Sequence, residues 1–244
     1  MKAAGKVALV TGAGRRLGKA IALALARQGA HVAAHYYKSE SEARQTVEEI
    51  RALGVQACAV QADQAREGEV GRAAAEAAAA LGPIDILVNS AAIFERGPFL
   101  EAEAESWDRH MNVNLRGPYP FARAVAPEMR RRGAGKIVNL ADVAAERPWP
   151  AYLAYSVSKA GVVALTRALA RALAPQVQVN AVAPGIILPP ESWDDSEVKA
   201  ALERVPMKRP GAAEEIASTV LFLIEGPDYI TGAVIAVDGG RGEL

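Results

Sequence analysis

Short apolar runs rich in β-branched residues alternate along the chain with longer alanine-rich stretches whose apolar positions recur at helical spacing. That alternation is the pattern of repeated strand–helix–strand units, each laying a helix against a parallel sheet. The runs predict strands at 7–10, 31–36, 55–60, 84–88, 136–140, 177–182 and 233–237. The stretches between them predict helices at 17–28, 41–53, 65–81, 104–132, 152–174 and 212–225. A break is expected in the fourth helix near Gly117-Pro118, because proline removes a helical hydrogen bond. Strands that read as near-continuous apolar runs belong to a sheet covered on both faces. The expected fold is therefore α/β, with a doubly wound parallel sheet as the middle of three layers. No repeat and no linker divides residues 1–244, which predicts a single domain. Residues 184–211 are the longest stretch without periodicity and are expected to be a long loop, read as a substrate lid.

Composition narrows the function classes. A chain of 244 residues, 51% hydrophobic, can bury roughly three quarters of its unfolded surface. Its 28 Lys and Arg balance 28 Asp and Glu, which argues against a generally basic nucleic-acid binder. The single Cys58 excludes a disulfide framework, and His31, His35 and His110 show no metal-ligand spacing, so no metal is expected. Neither a signal peptide nor an apolar run of about 18 residues is visible, which predicts a cytoplasmic protein with no membrane partner. His31, His35 and Cys58 are expected to pack in or beside strands. Arg130-Arg131-Arg132 reads as a solvated helix end whose cations complement the dipole.

The first strand runs into Thr11-Gly12-Ala13-Gly14-Arg15-Arg16-Leu17-Gly18 and then a helix. Glycines there let the backbone turn tightly and approach a phosphate, and the helix N-terminus supplies free N–H groups. Strand, turn and helix in that order make a nucleotide site. At the end of the second strand a carboxylate would select NAD, whereas cations accommodate the 2′-phosphate of NADP. The chain reads His35-Tyr36-Tyr37-Lys38-Ser39, with Arg15 or Arg16 as a further cation, so NADP(H) is favoured. A solvated loop lysine remains the alternative for Lys38. Asp63 could hydrogen-bond the adenine amino group or simply form a turn.

These residues resemble the short-chain dehydrogenase/reductase family over essentially the whole chain. The resemblance rests on the Thr11–Gly18 turn, Asn89-Ser90-Ala91-Ala92, Asn114, Tyr155-x-x-x-Lys159, Pro184-Gly185 and Ile230-Thr231-Gly232 followed by Asp238-Gly239-Gly240. It implies a Rossmann-type, seven-stranded sheet and a nicotinamide cofactor held by Gly12, Arg15, Arg16, Leu17, Tyr37, Lys38, Ser39, Asp63, Asn89, Ala91, Tyr155, Lys159, Pro184 and Gly185. Within the family the chain is similar to the pteridine and dihydromonapterin reductase branch. Arg16 stands where most members have Gly, and Asp142 where most have a catalytic Ser, 13 residues before Tyr155. Phe94 falls where that branch stacks an aromatic on the pterin. Ala92 departs from the branch, which has a Ser there.

Tyr155 and Lys159 lie one helical turn apart and share a face. An adjacent ammonium lowers a phenol pKa toward the working range, so Lys159 is expected to activate Tyr155. The resemblance gives Lys159 the nicotinamide ribose and Asn114 a proton-relaying water. An ionised Asp142 would repel the oxyanion of ketone reduction. A C=N bond forms no oxyanion, because its nitrogen gains a proton that Asp142 and Tyr155 can supply. Asp142 could instead cap a turn, and Phe94 could pack in the core. Arg16 is expected to grip the pyrophosphate or to reach a pterin. The substrate set is thus Arg16, Phe94, Asp142 and Tyr155. An NADPH-dependent dihydropterin reductase leads; a carbonyl reductase acting on 3-oxoacyl-acyl-carrier-protein, or a non-catalytic NADP sensor, are alternatives. The 152–174 helix carries Val157, Ala160, Gly161, Val163, Ala164 and Ala168 over more than one face, which, with the resemblance, predicts a homotetramer.

Overall fold

A computed structural model of the chain describes residues 1–189 and 193–243. Seven strands form one parallel sheet: β1 (Val7–Val10), β2 (His31–Tyr36), β3 (Ala57–Gln61), β4 (Ile86–Asn89), β5 (Gly135–Leu140), β6 (Val177–Pro184) and β7 (Val234–Val237). Their order is β3-β2-β1-β4-β5-β6-β7. The chain thus winds one way from β1 to β3, then returns to pair β4 beside β1, with Val10 opposite both Ala34 and Val88. A crevice opens at that reversal, beyond the carboxyl ends of the strands. Adjacent residues of a strand face opposite sides. Ala8 and Val10 accordingly pack in one core, Val7 and Leu9 in the other.

Helices α1 (Arg16–Arg27), α2 (Glu40–Arg51), α3 (Glu67–Leu81), α4 (Ala104–His110), α5 (Pro118–Arg131), α6 (Leu153–Leu173), α7 (Asp195–Glu203) and α8 (Ala213–Glu225) complete the described fold. In α1 the buried residues are Gly18, Ile21, Ala22, Leu25 and Ala26, one continuous stripe at helical spacing. It joins Ile216, Val220 and Ile224 of α8 over one face of the sheet, while Val70 and Ala73 of α3 join Phe121 and Met129 of α5 over the other. Among the described residues no helix is long and apolar enough to cross a membrane.

Two expectations change. The 104–132 helix breaks where Gly117-Pro118 predicted, but the preceding residues Met111–Arg116 widen into a π-helical turn that carries Asn114. The segment expected as a structureless loop after β6 contains α7, started by a capping box in which Asp194 accepts from the Glu197 N–H. This helix buries none of its residues, so it lacks the apolar periodicity that revealed the others. Residues 190–192 of the segment read as a lid lie outside the described residues.

His35 does more than pack in β2. Its Nδ1 accepts from the Gly12 N–H at 3.3 Å, and its Nε2 faces the Ala62 carbonyl at 3.0 Å. Those partners require a neutral ring with the proton on Nε2, since a second proton on Nδ1 would meet an N–H. Burial lowers the His35 pKa to about 4, against a smaller opposing contribution from the Ala62 bond. The unfolded chain therefore binds a proton below about pH 6.5 that the folded chain refuses until about pH 4. Stability should fall by roughly 3 kcal/mol between those limits. Urea denaturation at pH 7.5, 6 and 5 is expected to show the first part of that loss, about 2 kcal/mol by pH 5, and His35→Gln to flatten it. An equal slope in both proteins would remove His35 as its source.

Candidate active site

The turn between β1 and α1 is built around positions where a side chain has no room. Gly12 has φ +67°, and a Cβ there would lie 2.9 Å from the Ala91 Cα; at Gly18 it would lie 2.2 Å from the Gly12 carbonyl oxygen. Glycine alone satisfies both constraints. The Thr11 hydroxyl accepts from the Ser90 and Ala91 N–H groups at 2.9 and 3.0 Å, tying this turn to the exit of β4. α1 carries no acidic residue in its first turn. Its free N–H groups and dipole thus face the crevice without a competing carboxylate. Leu17 packs on the core while Arg15 is exposed. Arg16 takes a left-handed φ of +52° and donates from Nη2 to the Leu188 carbonyl, linking the turn to the segment after β6.

Beyond β2 the exposed Lys38 ammonium sits 5.1 Å from the Tyr37 ring centroid, and Ser39 lies close under Gly14. Asp63 behaves as the turn former that was its alternative: it accepts from the Ala65 N–H at 3.0 Å and lies 3.6 Å from the Arg66 guanidinium. Asn89 is buried and its Nδ2 donates to Asn139, which donates to Thr166 of α6, while the Asn89 Oδ1 is buried without a hydrogen-bond partner among the described residues. Gly185, after Pro184 at the end of β6, has no room for a Cβ against the Asp238 backbone.

The catalytic candidates converge where β5 exits. The Tyr155 hydroxyl donates to Asp142 Oδ2 at 2.8 Å, and Asp142 Oδ1 accepts from the Ala144 N–H at 2.8 Å. Asp142 therefore does both things proposed for it, capping the 3₁₀ turn Val143–Ala145 and facing Tyr155. Lys159 Nζ donates to the Leu140 carbonyl at 2.7 Å and stands 5.7 Å from the Tyr155 ring centroid. Asn114 accepts from the Ile93 N–H and donates to its carbonyl and to the Ser158 hydroxyl, which in turn donates to the Tyr155 carbonyl.

The electrostatics correct one expectation. Lys159 does not bring Tyr155 into the neutral range. Burial pushes the phenol pKa well above its ordinary value, and the Asp142 carboxylate adds to the rise. Burial also raises the Asp142 carboxyl, against the Ala144 N–H, Tyr155, Lys159 and Arg241. Burial lowers Lys159 to about 8, opposed by Asp142. Spacing on a helix placed Lys159 near Tyr155, but it could not show that the carboxylate holds the hydroxyl.

An aromatic wall stands over the pair. Phe94 stacks on Tyr152 with centroids 4.3 Å apart and meets Tyr155 edge-on at 4.7 Å. Trp149 lies 6.4 Å from Tyr155 at 22°, and the Arg241 guanidinium covers its ring at 4.9 Å. Trp193 donates to the Tyr152 hydroxyl at 3.1 Å. Phe94 thus belongs to the cleft rather than to either main core. Trp149 and Tyr152 were missed in the sequence because loop aromatics carry no periodic signal; Arg241 stands in the tail Asp238-Gly239-Gly240-Arg241 that is similar to the pteridine reductase branch, a resemblance that gave it no role in the site.

A family model described as enoyl-(acyl carrier protein) reductase matches residues 12–241. A 3-oxoacyl-acyl-carrier-protein reductase from Staphylococcus epidermidis is 40% identical over 239 residues, covering 96% of this chain and 98% of that one. The solved structure of FolM alternative dihydrofolate reductase 1 from Brucella suis, in complex with NADP, is similar with a TM-score of 0.93 at 36% identity, covering 100% of this chain and 97% of that one. A gluconate 5-dehydrogenase from Burkholderia cenocepacia, in complex with NADP and tartrate, has a TM-score of 0.92 at 33% identity, covering 99% and 96%. With the family model and these relatives matching nearly the whole chain, the chain belongs to the short-chain dehydrogenase/reductase family of oxidoreductases.

Proposed function

We propose that the chain is an NADPH-dependent reductase of a C=N bond in a dihydropterin-like heterocycle. The observation that carries this reading is the 2.8 Å bond from Tyr155 to the buried Asp142, set against the Phe94–Tyr152–Trp149 wall. Ring faces offer a planar heterocycle stacking partners on one side of the cleft. The Gly12 and Gly18 turn fits a dinucleotide pyrophosphate, since it brings bare backbone and the α1 N-terminus to the crevice. Arg15 and Lys38 are exposed cations at the strand ends where a 2′-phosphate would sit. Bound there, NADPH supplies the hydride that the substrate carbon receives.

The chain's own residues supply the proton. Because burial raises the Asp142 carboxyl, it takes up a proton more readily than an exposed aspartate. The pair then holds two protons, one on each residue. Giving one to the substrate nitrogen, as its neighbouring carbon gains the hydride, leaves a carboxylate that accepts from the Tyr155 phenol. The 2.8 Å contact between the Tyr155 hydroxyl and Asp142 Oδ2 supports this hand-over. Lys159 and Arg241 balance the charge left behind. Reduction should consequently weaken as pH rises through the Asp142 pKa.

A second reading, reduction of a 3-oxoacyl thioester, is favoured by the 40% identity to 3-oxoacyl-acyl-carrier-protein reductase. Against it, Asp142 in its ionised form repels the oxyanion that a ketone develops. A non-catalytic sensor would not need Tyr155 and Lys159 together in this geometry. Self-association as a homotetramer is supported by Val157, Ala164 and Ala168, which leave an apolar stripe exposed along α6.

Three outcomes are expected. NADPH should be preferred over NADH by at least about tenfold in kcat/KM, roughly 1.4 kcal/mol, with Lys38→Asp abolishing the preference; equal constants in the parent enzyme would refute it. Light scattering should give a mass of four chains, and a monomer at all concentrations would end that proposal. Asp142→Ala should lower dihydropterin turnover by about a hundredfold with NADPH affinity little changed. Asp142→Ser should leave pterin reduction poor and improve ketone reduction. If the ratio of the two specificity constants stays the same in Asp142→Ser, the carbonyl reductase reading takes over.

A further inference from the structure

We propose that Arg241, from the C-terminal turn, is a positioning residue that governs how readily Asp142 yields its proton, which makes the tail of the chain part of the active site. The inference rests on the reading of Asp142 as proton source, and three features of geometry carry it. First, the turn Arg241–Glu243 is fastened in place: Asp238 accepts from the Gly240 and Gly242 N–H groups at 2.9 and 2.6 Å. Second, that turn packs on the 3₁₀ turn which Asp142 caps, with the Gly242 Cβ position 3.8 Å from Val143 Cγ1. Third, the guanidinium lies 4.9 Å over the Trp149 ring, whose plane is within 22° of Tyr155.

The guanidinium is held there at a cost. Its Nη1 is buried and has no hydrogen-bond partner among the described residues. A buried unmatched donor on a charged group destabilises a fold, so an apolar side chain of the same length would pack against Trp149 more cheaply. What an apolar chain cannot supply is positive charge beside a buried carboxyl. The charged and titratable groups facing Asp142 are Tyr155 and Lys159 from α6 and Arg241 from the tail. Those facing Arg241 are Asp142, Asp238 and the like-charged Arg204. Lys159 is committed to the Leu140 carbonyl, whereas Arg241 has a donor uncommitted. A cation at this place favours the Asp142 carboxylate and offsets the upward push of burial.

The sign follows directly. Without the cation, Asp142 holds its proton to higher pH, so the alkaline limb of pterin reduction moves upward while the proton becomes harder to give. The test uses full-length enzyme labelled with ¹³C at aspartate carboxyls, with the Asp142 resonance assigned by its loss in Asp142→Asn. In the absence of substrate, Arg241→Gln is expected to raise the Asp142 midpoint by about one pH unit, a tenfold change in acidity. Arg241→Lys, which keeps the charge, should restore most of the difference. The alkaline limb of kcat for NADPH-dependent dihydrobiopterin reduction should shift in step. If Arg241→Gln does not fold, Arg241→Met keeps an apolar stem on Trp149 and carries the same test. An unmoved Asp142 midpoint in the folded variant overturns the inference, whatever the turnover. A moved midpoint in an enzyme that does not reduce dihydropterins would leave the inference standing and overturn the pterin reading alone.

Discussion

Parallel pairing on both sides of β1 is the constraint from which the rest of this molecule hangs. Because β1 pairs with β2 on one side and β4 on the other, every strand must end at the same edge, and the two halves of the sheet, β1 to β3 and β4 to β7, must be wound in opposite directions. The crevice at that edge receives the glycine turn from β1, Ala91 from beyond β4, Asp142 from beyond β5 and Gly185 from beyond β6. None of these groups is near another in the sequence. Sheet register brings them together, and the buried apolar faces on both sides keep that register from slipping.

Close approach at the edge then decides which residues are tolerated. The turn at Gly12 lies against the Ala91 backbone, and Thr11 and His35 hold it there by side-chain bonds to backbone N–H groups. His35 therefore connects the ring's protonation state to the geometry of the nucleotide turn. On the other side of the crevice, Lys159 and Asp142 use the last residues of β5 and its exit turn as anchors. Both halves of the site are thus set by backbone groups of a rigid sheet, which suits chemistry that needs a fixed distance between hydride and proton sources.

Electrostatics in the dry interior separate this site from one with a neutral hydroxyl at position 142. Burial raises both the carboxyl and the phenol; Asp142 adds to the rise at Tyr155, while the Ala144 N–H, Tyr155, Lys159 and Arg241 only partly offset it at Asp142. On the proposed reading the pair carries two protons and releases one to a nitrogen that must be protonated; the carboxylate then left would oppose a negatively charged oxygen. The aromatic wall adds flat apolar surface for a ring, and the Arg241 guanidinium lies over the Trp149 ring.

Much of this was legible along the chain. β1 and β2 have the predicted bounds, and the other strands and the long helices depart by only a few residues, because each strand is a short continuous apolar run and each helix carries an apolar pattern of period 3.6. The glycine turn and the Tyr155–Lys159 pair were visible through local spacing, and Asp142 through the family resemblance. α7 was not, since it buries nothing and shows only its Asp194–Glu197 start. What the sequence determined was therefore the class of fold and the identity of the reacting groups, both of which depend on neighbours within a turn or a strand. The tertiary structure alone decided the charge relations: that Tyr155 bonds Asp142 and has a raised rather than lowered pKa, that Phe94 stacks on Tyr152, and that Arg241 returns from the tail to Trp149. Those depend on burial and on contacts between distant segments, and a side chain's dielectric surroundings exist only once the chain has closed around it.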